Sequence, residues 1–318
     1  MLTVLEGGPL SSVQDLGRSG YEGSGVGRAG AMDPLALQAG NLMVGNPVTA
    51  AGIEIFSPPF SVRFETTTRF ALVGGDFYAQ LDGRAYPPWW STHAEPGQVL
   101  RVLRGKRGGK GFLCVAGGVS VPPVLGSRST DMKGGFGGLD GRRLMKGDAL
   151  PLGKIDDVMP GSYGVRPPMD RMNALQQTGV RVIPAAEFSL LTEQSREDFL
   201  KANWTVSPNS NRMGYRLVGP ALNLTQSLEL RSYGITPGII QLPPAGQPII
   251  QLSEANTVGG YPRVGVIIQS DLRHLAQAPV GSWIRFEICD SAQALAASIQ
   301  DRQWLEMTQQ QIRWYRSS

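Results

Sequence analysis

Histidine, cysteine and long apolar runs are what this sequence has least of. His93 and His274 are the only histidines in 318 residues, and neither neighbours a cysteine, which argues against a zinc site. With no G-x-S-x-G elbow either, a serine-hydrolase triad is not expected. The two cysteines, Cys114 and Cys289, each lie in an apolar stretch (FLCVA and RFEIC) and read as buried small hydrophobes, not as a disulfide framework. No window reaches 18 apolar residues, so no membrane-spanning helix is expected. The opening MLTVLEGGPL lacks the basic and apolar regions of a signal peptide, and a cytoplasmic location is expected. Thirty basic against 26 acidic residues leave a net charge of +4, too small and too scattered to suggest nucleic acid. Any chemistry therefore rests on Arg, Asp, Asn, Gln and backbone amides, which stabilise negative charge and position substrates.

Turn formers, by contrast, are abundant: 41 glycines and 23 prolines in 318 residues, about a fifth of the chain against an average near 12%. Between them lie short runs rich in β-branched and aromatic residues: RFALVGG, QVLRVL, GFLCVAGG, GVRVI, VGVIIQS and WIRFEI. IIQL occurs twice, at 239–242 and 249–252, with PPAGQP as the turn between. Helices are few. Asp33-Pro34 opens one that Gly45 ends; a second covers 192–202; a third starts at Ser270 or Asp271. The last starts from Asp290 with Gln293 at the capping-box position and runs to about Trp314. Strands and helices do not alternate, which argues for a mainly β protein and against a doubly wound parallel sheet. The Gly/Pro/Met-rich stretch 153–179 reads as a linker, giving an N-terminal β-rich subdomain over 1–165 and a C-terminal one over 166–318.

Gly25, Gly27 and Gly30 spell G-x-G-x-x-G, with Glu54 near the place of a ribose-binding acid. The preceding QDLGRSGYEGS is polar and broken by glycine, where a dinucleotide fold needs an apolar strand. What remains is a glycine-rich loop feeding a helix N-terminus at Asp33. With Arg18 and Arg28 near, it suits either an anion or simple packing under a barrel. RGKRGGKGF fails as a phosphate loop because Arg104 and Gly111 stand where Gly and Ser/Thr are needed; RGKRGGK reads instead as a solvated hairpin tip. Three further stretches, 125–148, 209–217 and 256–265, are rich in polar residues and glycine, and carry Arg128, Arg142, Arg212, Arg216 and Arg263. A guanidinium either grips a carboxylate or phosphate, or staples a loop through carbonyls.

SVQDLGR, GAMDPLALQAGNLMVGN, LGSRSTD, SNRMGYRL, IIQLPPAGQPI and TVGGYPRVGVI together resemble one family, in order and from about Leu2 to Phe286. It is the family that joins KipA, the C subunit of the bacterial ATP-dependent 5-oxoprolinase, and half of the carboxyltransferase region of urea carboxylase. The resemblance implies cyclophilin-like β-barrels in two subdomains. It also implies two partners, the KipI-like B subunit and the A subunit of 5-oxoprolinase, and 5-oxoproline as substrate. ATP would be used by the complex to open the lactam to L-glutamate. A KipA-type regulator that antagonises a KipI-like kinase inhibitor is the alternative, and a biotin-dependent carboxyltransferase acting on urea or a similar amide is a second. No A-M-K-M sequence occurs, since Met145-Lys146 sits in LMKGD, so no covalent biotin is expected on this chain. The motifs nominate Arg212, Asp15 and Arg18 as catalytic. They nominate Asp33, Asn41, Ser129, Asn211, Arg216, Gln241, Gly260, Tyr261 and Arg263 as substrate-binding, and no metal ligands. Asn211, Val258 and Tyr233 depart from the family's usual residues.

Overall fold

The computed structural model describes residues 1–154, 161–168 and 179–317. Two compact units emerge. One holds Met1–Arg18, Ala29–Pro167 and Arg302–Ser318; the other holds Ser19–Arg28 and Pro168–Asp301. A short early segment groups with the second unit and the end of the terminal helix with the first, so neither unit is one continuous stretch. Most of the expected 153–179 linker lies outside the described residues.

In the first unit a ten-stranded sheet is formed among the described residues by β1 (Leu2–Glu6), β2 (Ser12–Gln14), β3 (Gly52–Ile55), β4 (Phe60–Phe64), β5 (Thr68–Leu81), β6 (Arg84–Tyr86), β7 (Trp90–Ala94), β8 (Val99–Val115), β9 (Ala149–Leu150) and β10 (Tyr163–Gly164). Its pairings are all antiparallel. QVLRVL and GFLCVAGG, read as separate strands, are one: β8 runs through both and pairs along β5 from Leu81↔Leu100 to Phe70↔Val115. The basic RGKRGGK stretch is therefore the middle of a strand and not a hairpin tip. Irregular register at Asp76 absorbs the bend, as bulges do in long curved strands. β8 uses its first half against β4 and its second half against β3, which curls the sheet around a core containing Val62, Phe64, Phe70 and Leu113. Phe70 lies between Phe64 and Tyr86, each ring pair at 4.9 Å.

Helix α1 (Pro34–Met43) covers this sheet with Ala36, Leu37, Ala39 and Met43, packed with Ala71, Val73 and Cys114. It starts as the sequence predicts, with Asp33 accepting from the Ala36 amide at 3.0 Å and proline at the first helical position.

In the second unit the strands are β11 (Val180–Pro184), β12 (Trp204–Val206), β13 (Gly214–Val218), β14 (Tyr233–Gly234), β15 (Ile239–Gln241), β16 (Ile249–Gln251), β17 (Val258–Gly259), β18 (Arg263–Ile267), β19 (Trp283–Ile284) and β20 (Phe286–Ile288). β14 and β17 form a separate two-stranded ribbon. The other eight follow the order β19-β12-β13-β16-β15-β18-β11-β20. Its two edges, β19 and β20, are separated in the chain by Arg285 alone. One residue cannot span an open sheet, so the sheet curls on itself as a barrel. The repeated IIQL segments are neighbours as expected, with Ile240 opposite Ile250.

Three more helices complete the chain: α2 (Glu193–Lys201), α3 (Gln269–Gln277) and α4 (Ser291–Ser317). Phe199 of α2 stacks on Phe286 at 4.4 Å. α3 begins slightly before the expected Ser270 or Asp271, because Asp271 does not cap it. Its carboxylate instead takes the Arg181 guanidinium at 2.6 and 3.0 Å. α4 opens on a reciprocal capping box: Gln293 N donates to Asp290 Oδ1, and Asp290 N donates to Gln293 Oε1. Its far end joins the first unit's core through Trp304 on Trp89 and Tyr315 on Tyr163.

Candidate functional site

Two polar centres, one in each unit, bring nominated residues together: Asp15, Arg18 and Ser129 in the first, Gln241, Tyr261 and Arg263 in the second. Asp33, Asn41, Asn211, Arg212 and Arg216 lie outside both. In the first, three separated motifs meet on Asp15. Its Oδ1 accepts from Ser127 Oγ and Ser129 Oγ, both at 2.6 Å, and from the Gly17 amide at 2.8 Å; Oδ2 accepts from the Arg128 amide at 2.6 Å. The Asp15 amide returns a bond to Ser129 Oγ at 2.9 Å. A carboxylate so fully engaged is a fastener between SVQDLGR and LGSRSTD, with its lone pairs committed to protein donors. Ser129 is fully buried. Arg18 is buried as well: Nη2 donates to the Ser129 carbonyl at 2.5 Å, Nη1 lies 3.9 Å from Asp131, and the guanidinium sits 4.8 Å from the Phe136 ring centre.

The anion site considered at the start of α1 is not what the structure presents. Gly30 N donates to Gln14 Oε1, Ala31 N to the Asp15 carbonyl, Met32 N to Glu54 Oε2 and Ala36 N to Asp33. These amides are occupied, and two buried carboxylates beside them oppose a further negative charge. The G-x-G-x-x-G stretch has a packing explanation at Gly30. Its φ is +91° and a Cβ there would lie 2.8 Å from the Gly17 nitrogen. Asn41, nominated for substrate, is fully buried. Its Nδ2 donates to the Ala50 carbonyl at 2.7 Å while Oδ1 accepts from Asn46. Asp33 and Asn41 thus serve the helix and the loop after it.

In the second unit Arg212 is 1% exposed, with Nε 2.7 Å from Glu254 Oε1. Those are the surroundings of an arginine that pins its turn, not of one facing a cleft. Asn211 helps the same turn, accepting from the Met213 amide at 2.8 Å. Arg216 alternates outward on β13 and is exposed.

Gln241, Tyr261 and Arg263 come together at the β14–β17 ribbon. Gln251 Nε2 donates to Gln241 Oε1 at 2.8 Å, and Gln241 Nε2 donates to Tyr233 Oη at 3.0 Å. Tyr233 then donates to the Tyr261 carbonyl. Arg263 places its guanidinium carbon over the Tyr233 ring, 4.2 Å from the ring centre. Its Nε and Nη2 each stand 3.1 Å from a Glu187 oxygen, and its amide donates to Glu187 as well. That fork leaves Nη1 of a one-third exposed side chain without a hydrogen-bond partner among the described residues. Burial pushes the Glu187 carboxyl up, but the bonds from Arg263 outweigh it and hold it below 4.5. Gly260 and Tyr261 are exposed beside this cluster. Among the described residues no group of three or more His, Cys, Asp or Glu side chains is placed to hold a metal. Sequence reasoning did not nominate Glu187, Gln251 or Glu254. The repeated IIQ was the signal for Gln251: with Ile240 opposite Ile250, Gln241 faces Ile249 and Gln251 stands diagonal to Gln241, within reach of a long side chain; PAAEF and SEAN carry no such mark.

Comparison with known proteins agrees with this architecture. The carboxyltransferase domain family, subdomains A and B, matches residues 24–288. The chain is 41% identical to the 5-oxoprolinase C subunit of Escherichia coli, over 99% of this chain and 98% of that protein. It is 37% identical to the 5-oxoprolinase C subunit of Haemophilus influenzae, over 90% and 91%. Among solved structures, urea carboxylase of Kluyveromyces lactis aligns with a TM-score of 0.85 and 27% identity, over 96% of this chain and 29% of that one. The protein TTHA0988 aligns at 0.77 and 29%, over 90% of this chain; the match spans 56%, a little over half, of TTHA0988. A mainly β chain with two polar centres and these relatives belongs to the carboxyltransferase-domain family, subdomains A and B, alongside the C subunits of 5-oxoprolinase.

Proposed function

We propose that this chain is the C subunit of an ATP-dependent 5-oxoprolinase. It would work in the cytoplasm with a KipI-like B subunit and an A subunit to open 5-oxo-L-proline to L-glutamate. One observation carries the reading: the match to the Escherichia coli 5-oxoprolinase C subunit runs the full length of both chains, whereas that to the urea amidolyase of Saccharomyces cerevisiae covers 16% of the latter. In the reaction, water adds across the lactam C–N bond, leaving a new carboxylate and a free amine, and ATP hydrolysis to ADP and phosphate supplies the drive. The part assigned to this chain is positioning. The open Nη1 of Arg263 suits the substrate's carboxylate, with Glu187 holding the other edge of the fork and Tyr233 backing its face. Nucleotide binding is assigned to the assembled complex, because RGKRGGKGF and the Gly25–Gly30 loop both fail as phosphate motifs.

Reconstitution tests this. The three 5-oxoprolinase chains together should release glutamate and ADP from 5-oxoproline and ATP. This chain and its KipI-like partner should co-elute at micromolar concentration, and this chain alone should be inactive. Robust 5-oxoproline-dependent ATP hydrolysis by the isolated chain, or carboxylation of urea in place of lactam opening, would overturn the proposal.

A further inference from the structure

The geometry points to Tyr233, a residue outside the nominated set, as the positioning residue that holds the Gly259–Arg263 segment, and with it Arg263, in place for substrate. The substrate part of this inference rests on the reading that Arg263 receives the carboxylate.

The argument is one of hydrogen-bond direction. Gln251 and Gln241 are 8% and 4% exposed, so each amide must find partners within the protein. Gln251 Nε2 donates to Gln241 Oε1, which fixes the Gln241 amide with Nε2 facing Tyr233. An amide nitrogen only donates, so the phenol oxygen accepts from it and its own proton is left for the Tyr261 carbonyl. Burial raises the phenol's pKa above the ordinary 10.0, which keeps that proton in place at neutral pH. The relay thus runs one way, from the sheet interior to the main chain two residues before Arg263. The ring that carries the hydroxyl also carries the Arg263 guanidinium at 4.2 Å. Tyr233 therefore grips this segment twice, once by its main chain and once by its charge. Gly259 belongs to the same device. A Cβ there would stand 2.7 Å from Gln241 Nε2 and 2.4 Å from Ile235 Cδ1, so a side chain would displace the relay's middle member.

The test uses Tyr233→Phe, which removes only the hydroxyl, and Gly259→Ala, which disturbs the relay from the opposite side. In the full isolated chain, amide hydrogen exchange over 259–263 should quicken at least threefold in both variants, while exchange in β11 stays as in the wild type. In the reconstituted complex, both variants should raise KM for 5-oxoproline about tenfold, the effect of one lost hydrogen bond, with kcat within about twofold. A merely structural tyrosine would lower the melting temperature without splitting KM from kcat. Unchanged exchange over 259–263 overturns the clasp. Quickened exchange with an unchanged KM overturns its role toward substrate. A wild-type complex inactive on 5-oxoproline refutes the functional reading instead, and exchange alone then decides the clasp.

Discussion

The two polar centres are built from similar residue types but differ in what is left over. Around Asp15 the carboxylate takes four donors, the hydroxyls of Ser127 and Ser129 are buried, and the Arg18 side chain is wholly covered. Around Tyr233 the chain Gln251–Gln241–Tyr233 is equally well connected, yet it ends at a partly exposed guanidinium with one edge open and at the exposed Tyr261. A carboxylate whose acceptor sites are all taken fastens the chain; a guanidinium with a pre-oriented donor left over can bind. The comparison separates fastening from positioning among residues that look alike as sequence motifs.

The sharpest way to break it is to cut the fasteners. Asp15→Ala strands two buried hydroxyls and two amides, and Arg212→Ala removes the guanidinium that buried Glu254 pairs with. Each should cost about 3 to 5 kcal/mol in urea unfolding, with activity lost only in proportion to the unfolded fraction. A well-folded Asp15→Ala or Arg212→Ala chain that assembles but does not turn over would move that residue to the catalytic side.

Arg263→Ala should behave oppositely. Loss of a charge-assisted contact is worth about 1.5 to 3 kcal/mol, roughly 10- to 150-fold in kcat/KM for the reconstituted complex. The melting temperature also falls, because buried Glu187 loses its fork, but the loss of activity exceeds the unfolded fraction at the assay temperature. Lys at this position should not rescue, since an ammonium cannot fork Glu187 and still present a second donor edge.

The smallest effect concerns acid. Glu187 and Asp271 are both held below their ordinary values of 4.5 and 3.8: burial pushes each up, and the bonds from Arg263 and Arg181 outweigh it. A carboxylate whose folded pKa is depressed contributes stability that is fully present above the ordinary value and is lost as pH falls through the folded one. The unfolding midpoint should therefore decline as the pH drops below about 4.5, and Glu187→Gln should flatten part of that slope. An identical acid profile in that variant would remove Glu187 from the account.

Much of the architecture was legible in the chain. The strand-rich, turn-rich pattern, the Asp33–Pro34 helix start, the Asp290/Gln293 capping box and the IIQL hairpin are all local signals, and each appears where it was read. RGKRGGK misled because glycine and charge mark a turn only when no partner strand claims them, and here β5 does. Arg212 and Arg263 are indistinguishable as sequence, each an arginine in a glycine-rich polar stretch.

By itself, then, the sequence determined what depends on neighbours along the chain: strand pattern, helix caps, hairpins, and the set of motifs that marks the family. Only the tertiary structure decided which polar residues are used up and which are available. Ser127 and Ser129 reach Asp15 across more than a hundred residues, and Glu187 reaches Arg263 across 76. Hydrogen-bond capacity is finite, so a side chain's role depends on which distant partner takes it first, and folding alone brings that partner within reach.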